Sequence, residues 1–469
     1  MDWLRGQADR VIETHIAAVF LIGDHAYKMK KAVDLGFLDF STRDKRIWAI
    51  RRELDFNRRT APDVYLAVAQ VVRRADGKLA FDEVGAPLES VLCMRRFDPE
   101  AVLSNVPERV KGDFAEALGR QVAGLHASAD IRPGGSGAQD GGQLAQVGGV
   151  GLDHIVQGAE AVETLLAATD AEFERRKDLL DARGAMGQLR RCHGDLHLAN
   201  ILEEGGKAVL FDCIEFNDTL SQIDVLYDLA FLLMDLGFRG NGEGASRVLN
   251  GYLDEAARSF AERAWGGLAA LPLFMSVRAA VRAHVNGHEG DHAVAQAYVQ
   301  AAIRHLTWPQ PTLHAVGGLS GSGKSTFARR LAPELGAPPG AVILRSDEIR
   351  KRQWGRGARD PLPPEAYAEG QGERVYGQMM REAGLVLEAG RPVVLDATFQ
   401  KPAERDSAEA AAQGAGVAFT GYWLDAPPEV MAARIAARTG DASDADTQVL
   451  EQQLQRDLGA IGWEKVRTP

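Results

Sequence analysis

The chain has 469 residues, enough for two or three domains that each bury a core, so a single small module is excluded. Lysine and arginine total 54 against 65 aspartate and glutamate, a formal charge of −11 that argues against a broad nucleic-acid or membrane-binding surface. With 45% hydrophobic and 25% charged residues the composition is not that of a disordered chain, and three cysteines (Cys93, Cys192, Cys213) are too few for a disulfide framework and fit a reducing, cytoplasmic setting.

Met1-Asp2-Trp3-Leu4-Arg5 carries no apolar signal core, and no long apolar run is evident, so neither secretion nor membrane spanning is expected. Alternating patterns predict strands at residues 15–21 and 26–30, a helix near 45–59, and strands at 65–72 and 90–95. That is a small mixed lobe over about residues 11–97. Helical periodicity dominates about 98–306, broken by a short strand pair at 198–202 and 208–211, while glycine-dense stretches at 133–151 and 237–244 read as loops.

His193-Gly194-Asp195-Leu196-His197-Leu198-Ala199-Asn200, followed by Val209-Leu210-Phe211-Asp212, sets two carboxylates and an amide around a hairpin. Phosphoryl transfer uses one carboxylate to orient the acceptor hydroxyl, and an amide plus a second carboxylate to hold Mg²⁺ against the phosphates. Asp195 suits the first role, Asn200 and Asp212 the second, and the Asp195-to-Asn200 interval matches the H-R-D-x-x-x-x-N spacing. Ala26-Tyr27-Lys28 looks like the end of a V-A-I-K strand, whose lysine reaches the α- and β-phosphates; Lys30 faces the same way by alternation. Glu53, in the next helix, is the natural ion-pair partner, and residues 91–94, ending in Met94, are the expected hinge against adenine. A zinc set of Cys192, His193, His197 and Cys213 is the weaker alternative, since it lacks a C-x-x-C pair.

On these motifs, residues 11–290 resemble the aminoglycoside phosphotransferase and choline kinase family. The resemblance implies a bilobal protein-kinase-like fold using ATP and Mg²⁺. It also implies that Asp224 and Asp228, in a D-x-x-x-D-L-A stretch, mainly support the catalytic loop. The chain departs from the family at Asp212-Cys213-Ile214-Glu215-Phe216, where Ile-Asp-x-Gly is usual, so Glu215 is either an extra metal ligand or part of the acceptor pocket. No acidic cluster follows to bind a cationic drug; the lobe runs into Arg278, Arg282 and His284.

Trp308-Pro309-Gln310-Pro311 ends the helical pattern and marks the expected seam between residues 1–308 and 312–469. Beyond it a βα rhythm begins, with strands expected at 313–316, 341–344, 392–395 and 418–424 and a helix from Ser325, hence a doubly wound parallel sheet. Gly318-Leu319-Ser320-Gly321-Ser322-Gly323-Lys324-Ser325-Thr326 contains G-x-x-x-x-G-K-[ST] between strand and helix. Its glycines (Gly318, Gly321, Gly323) and Ser320, Ser322 and Thr326 turn backbone N–H groups toward phosphates, Lys324 neutralises the γ side, and Ser325 ligates Mg²⁺. Asp347 follows the second strand and is placed to accept a proton from an attacking hydroxyl, with Arg350 one turn on to hold an acceptor. Asp396 ends an apolar strand as a Mg²⁺ or water holder, and Arg434 and Arg438 are placed to close over the phosphates.

Residues 312–469 resemble the small P-loop kinases of the gluconate kinase, polynucleotide kinase and zeta-toxin type. In those relatives the D-x-x-R aspartate activates the acceptor hydroxyl, which implies Asp347 as the base. End to end, the chain resembles fused bacterial proteins joining an aminoglycoside-phosphotransferase-like half to an ATP-binding half. The expected function is an ATP- and Mg²⁺-dependent phosphotransferase with two nucleotide sites, acting on a hydroxyl of a small polar acceptor of the sugar or aminosugar class. Two rivals stand beside it. The P-loop half would be a polynucleotide-type 5′-hydroxyl kinase, with a basic groove at Arg345, Arg350, Lys351 and Arg352; or one half would be a non-catalytic ATP-sensing or interaction module.

Overall fold

The computed structural model describes residues 1–36, 38–81, 84, 86–139, 159–437 and 442–468. Arg438 and the part of the expected 133–151 loop from residue 140 onward lie outside the described residues. The described chain is mixed α/β and divides into two compact units.

The first unit gathers Met1–Arg109, Ala129–Gly135 and Gly184–Leu232. Its six-stranded antiparallel sheet comprises β1 (Arg10–Glu13), β2 (Ala17–Ile22), β3 (His25–Lys30), β4 (Tyr65–Arg73), β5 (Leu79–Phe81) and β6 (Ala86–Arg95), in the order β1-β2-β3-β6-β4-β5. Helix α1 (Arg43–Asn57) starts where the Thr42 hydroxyl accepts the Lys45 N–H at 3.4 Å, an N-cap. Its Ile50 and Leu54 bury against Ala26, Leu92 and Met94 of the sheet, each fully buried large side chain contributing about 1.5–3 kcal/mol. That packing fixes the face of β3 that α1 sees: Ala26, Lys28 and Lys30 share it by alternation.

Two short strand pairs lie outside that sheet. β7 (Leu189–Arg191) pairs with β10 (Gln222–Asp224), and β8 (Ile201–Glu204) forms a hairpin with β9 (Lys207–Leu210). The expected strand at 198–202 is instead a 3₁₀ turn, Leu198–Asn200, followed by β8, because the His197 ring nitrogen Nδ1 accepts the Ala199 N–H at 3.3 Å and caps the turn.

The second unit gathers Val110–Ser128, Ser136–Arg183 and Leu233–Pro469, so the Trp308–Pro311 seam lies inside it. Helices α2 (Gly112–Ser128) and α3 (Gly242–Phe260) approach so closely that a Cβ at Gly119 would sit 2.1 Å from the Val248 carbonyl oxygen, and one at Gly251 2.3 Å from that of Glu116. The loop expected at 237–244 shrinks accordingly: Gly237 lies in the last turn of the helix Val225–Phe238, and Gly242 and Gly244 begin α3, where the Asn241 side chain caps by accepting the Gly244 N–H at 2.8 Å. Among the described residues, one helical run, Arg263–His288, is long and apolar enough by length and composition to cross a bilayer, and 89% of its most apolar stretch is buried inside the protein.

The second sheet is parallel. β11 (Thr312–Gly317), β12 (Val342–Arg345), β13 (Val393–Asp396), β14 (Ala418–Asp425) and β15 (Glu464–Arg467) lie in the order β12-β13-β11-β14-β15. The chain steps to one side of β11 and then to the other, so the crevice at the carboxyl end of β11 is the switch point where such sheets bind ligands. β15 had no sequence signal: Glu-Lys-Val-Arg shows no apolar run, and the strand forms through parallel pairing with β14 while the preceding Trp463 packs on Phe399 and Phe419.

Candidate functional site

In the first unit, five titratable side chains meet in sequence. Lys28 Nζ lies 2.6 Å from Asp212 Oδ1 and 2.7 Å from Glu53 Oε1; Lys30 Nζ lies 2.6 Å from Glu53 Oε2 and 2.7 Å from Glu215 Oε1. The expected Lys28–Glu53 pair is therefore formed, and Lys30, the lysine on the same face, holds the other oxygen of the same carboxylate. Burial pushes the Glu53 carboxyl up, but the two ammonium groups outweigh it and hold Glu53 at about 2. Burial likewise pulls Lys28 down, against which Asp212 and Glu53 carry it well above its ordinary value. Glu215 sits beside Lys30, and burial raises its carboxyl.

The catalytic loop is built around Asp228, whose carboxylate accepts the backbone N–H groups of His193 (3.1 Å) and Gly194 (2.8 Å). Gly194 has φ +86°, and a Cβ there would sit 2.9 Å from the Leu220 carbonyl oxygen, so the turn needs glycine. His193 Nε2 donates to the Phe211 carbonyl at 2.9 Å, and burial lowers the ring's basicity. Asn200 Nδ2 donates to Asp195 Oδ2 at 2.8 Å and to the Asp195 carbonyl at 2.9 Å. Because His197 Nδ1 accepts from Ala199, its proton sits on Nε2, which points at Asp195 Oδ2 from 3.3 Å.

Asp212 adopts φ +60°, a left-handed conformation that costs a non-glycine residue about 1–3 kcal/mol, and its N–H donates to the Tyr65 hydroxyl at 3.0 Å. The result turns its carboxylate to the open side: the side chains of Asp195 and Asp212 are 39% and 43% exposed, against 0% for Glu53. Met94 lies in β6 opposite Ala26 and Tyr65, and its side chain is buried in an apolar cluster with Leu92, bordered by Val19, Phe97 and Phe211.

In the second unit the loop after β11 lines a cleft of about 1110 Å³. Gly318, Gly321 and Gly323 have φ of +141°, +79° and +92°, and at Gly321 a Cβ would sit 2.5 Å from the Met431 carbonyl oxygen. Side chains follow this backbone closely. Lys324 Nζ donates to the Leu319 carbonyl at 2.9 Å, the Ser320 N–H donates to Gln453 Oε1 at 2.8 Å, and the Thr468 hydroxyl donates to the Ser322 carbonyl at 2.9 Å. Arg434 Nη1 donates to the Gly321 carbonyl at 3.3 Å and to Thr468 Oγ1 at 3.2 Å, so the expected lid arginine is against the loop.

Ser325 and Asp396 come together through Arg345, whose Nη2 is 3.4 Å from Ser325 Oγ and whose Nε is 3.4 Å from Asp396 Oδ2. Thr326, Asp347 and Arg350 line the same cleft. Arg350 donates to the Ala366 carbonyl at 2.8 Å and stacks over Tyr367, whose hydroxyl donates to Asp444 at 3.0 Å; burial, then Asp444, raises that phenol well above its ordinary value.

The basic groove expected of a nucleic-acid kinase does not form. Arg345 is buried on Asp396; Lys351 is fully buried and donates to the Asp360 carbonyl and Asp444; Arg352 is paired with Glu382 at 2.6 Å. Those three charges are used inside the fold, while Arg350 lines the cleft. Missed from sequence were Lys30 as Glu53's second partner, Tyr65 behind Asp212, and Gln453 and Thr468 against the P-loop. Strand alternation signalled the first; a lone Gln and Thr far along the chain gave no signal for the last two.

Residues 42–271 match the family described as Phosphotransferase enzyme family, and residues 313–457 match the AAA domain family. An uncharacterized protein of Mycobacterium tuberculosis (strain ATCC 25618 / H37Rv) is 32% identical over 461 residues, covering 94% of this chain and 88% of the relative. Among solved structures, a Plasmodium vivax ethanolamine kinase is 11% identical, covering 62% of this chain and 81% of its own, with a TM-score of 0.38. A gluconokinase from Sinorhizobium meliloti 1021 is 24% identical, covering 34% of this chain and 83% of its own, with a TM-score of 0.23. The chain belongs to the same family as the mycobacterial protein, and it is a kinase-type phosphotransferase in which a Phosphotransferase enzyme family segment precedes an AAA domain segment.

Proposed function

We propose that the protein is an ATP- and Mg²⁺-dependent phosphotransferase with two nucleotide sites, one on each side of the Trp308–Pro311 seam, each passing the γ-phosphoryl group to a hydroxyl of a small polar acceptor. The observation that carries the reading is the meeting of Lys28, Glu53 and Asp212 from three distant stretches of chain, beside Asp195 and Asn200. Lys28 is the group for the α- and β-phosphates, fixed by Glu53. Asn200 and Asp212 are the Mg²⁺ ligands, and the bound ion would offset charge on the phosphates. Asp195 takes the proton of the acceptor hydroxyl as that oxygen bonds to phosphorus and the bond to ADP breaks. Met94 and its apolar neighbours are the surface for adenine.

In the cleft, backbone N–H groups of the loop from Gly318 to Thr326 and the Lys324 ammonium bind phosphates, Ser325 and Asp396 serve the metal, and Asp347 is the base. Arg434 stabilises charge on the transferring group, with Arg350 on the acceptor side. Glu373, Lys401, Glu404 and Arg456 also line the wall and give it groups of both charges, which suits a sugar or aminosugar. A nucleic acid end is the less suitable acceptor, because Arg345, Lys351 and Arg352 are spent on internal partners. Free Cys93, Cys192 and Cys213 agree with a cytoplasmic setting.

The test is Mg²⁺-dependent ATP consumption by the wild type, Asp195→Asn, Lys324→Ala and the double variant, against sugars, aminosugars, aminoglycosides, nucleosides and 5′-hydroxyl oligonucleotides, with product mass measured. Each single change is expected to cut transfer to its own acceptor by about 100-fold or more and spare the other. If Asp195→Asn changes nothing that the wild type does, the first site is not a working kinase.

A further inference from the structure

The second unit joins elements from both sides of the seam. Before it stand α2 and α3, locked together at Gly119 and Gly251; after it stand β12 and two helices, α4 (Lys324–Leu331), which begins with the P-loop lysine, and α5 (Ser346–Gln353), which carries Asp347 and Arg350. Polar side chains of the α2–α3 pair reach all three. The Asn250 amide donates to the Ala341 carbonyl at 3.2 Å and accepts the Ile343 N–H at 2.7 Å, closing the free edge of β12 as another strand would.

Glu348, the neighbour of Asp347, is 2% exposed, and its two oxygens accept from two different helices: Oε1 from Arg120 Nη2 and Oε2 from Arg258 Nη2, both at 2.7 Å. Arg258 also donates to the Arg356 carbonyl just past α5. Arg329 on α4 meets Glu116 at 2.5 Å, and Glu116 takes Arg247 at 3.1 Å as well. Burial and then Glu348 raise the nearby Asp254 carboxyl, which Arg120 touches at 3.0 Å.

We propose that Arg120, Arg258 and Glu116 are positioning residues for phosphoryl transfer in the P-loop cleft. They act through Glu348 and Arg329 and fix where α5 presents Asp347 relative to Lys324 on α4. The proposal rests on the reading of that cleft as a phosphotransferase site. Two guanidinium groups on one carboxylate, from two helices, stop α5 from rotating about its axis, and such a rotation would swing Asp347 next in sequence. Displacing a reacting group by about 1 Å costs on the order of 100-fold in rate; removing one partner of a buried pair also lowers stability, so the deciding readout is kcat against nucleotide affinity in variants that remain folded at the assay temperature. Helices before the seam thus complete the site after it.

The test uses the full chain carrying Asp195→Asn, so that only cleft turnover is read, with water as the acceptor. The γ-phosphorus bond to the ADP oxygen breaks, the water oxygen takes its place, its proton passes to Asp347, and ADP and inorganic phosphate are counted. Arg258→Met and Glu348→Gln are compared with their parent for kcat, for affinity of a fluorescent ATP analogue, and for melting temperature. Glu348→Gln leaves no buried negative charge without partners, so it keeps the test alive if Arg258→Met fails to fold.

Turnover is expected to fall about 10- to 100-fold with nucleotide affinity within about threefold of the parent, since the phosphate loop is untouched, and Arg258→Lys is expected to recover most of it. Unchanged kcat in the folded variants overturns the proposal. So does a parallel fall of affinity and kcat in the folded variants, which marks a merely structural role. If the parent has no turnover that Lys324→Ala removes, the reading of the cleft itself fails and the proposal falls with it, a result separable from the other two.

Discussion

In the first unit the groups facing the proposed phosphates are held by one another: Asp212, Lys28, Glu53, Lys30 and Glu215 form an alternating row of contacts between 2.6 and 2.7 Å. In the cleft of the second unit they are held by backbone, with Lys324, Arg434 and Thr468 each bonded to a carbonyl of the P-loop itself. The first arrangement depends on charge balance in a buried place, so it breaks when one charge is removed. The second depends on glycine conformations and on the helices behind it, so its side chains tolerate more and its supports tolerate less.

The largest effect that separates the two is expected from Lys30→Met. It leaves Glu53 and Glu215 facing each other with a cation missing, and breaking a buried pair from one side costs about 3–5 kcal/mol. Denaturant unfolding of Lys30→Met against Lys30→Met/Glu215→Leu measures it: the double variant is expected to recover most of the loss. A single variant as stable as the wild type breaks the contrast drawn above.

A smaller effect sharpens the second half of the comparison. Burial, then Glu348, raises Asp254 from its ordinary 3.8 to about 7, against the opposing pull of Arg120 and Arg345. Between about pH 4 and 7 the native carboxyl therefore keeps a proton that the unfolded chain has released, so this group's contribution to stability declines as pH rises through that window. Comparing melting temperature against pH for the wild type and Asp254→Asn checks the sign: the difference should grow in favour of Asp254→Asn toward pH 7. A difference independent of pH means that Asp254 titrates normally.

Much of both sites was legible in the sequence because their chemistry is local in the chain. The P-loop, the interval from Asp195 to Asn200, Asp212 just past β9 and Asp396 at the end of β13 each depend on spacing within one strand–turn unit. Strand alternation even placed Lys30 beside Lys28 on one face. What sequence did not disclose were pairings across long separations. Glu215 reads as a departure from a motif until Lys30 is seen against it, and Thr468 and Gln453 touch the P-loop only because β15 and the helix Thr447–Leu454 return there. The run Arg345, Arg350, Lys351, Arg352 looked like a basic surface; Arg350 does line the cleft, and for the other three the missing information was the position of their partners Asp396, Asp444 and Glu382.

The central claim is that one chain holds two working nucleotide sites. The most direct measurement is the stoichiometry of Mg²⁺·ATP binding to the full chain by calorimetry, with Lys28→Met and Lys324→Ala as site-specific variants. The account predicts two sites per chain in the wild type and one in each variant, with the remaining site unchanged in affinity. A single site in the wild type, removed altogether by one of the two variants, contradicts it.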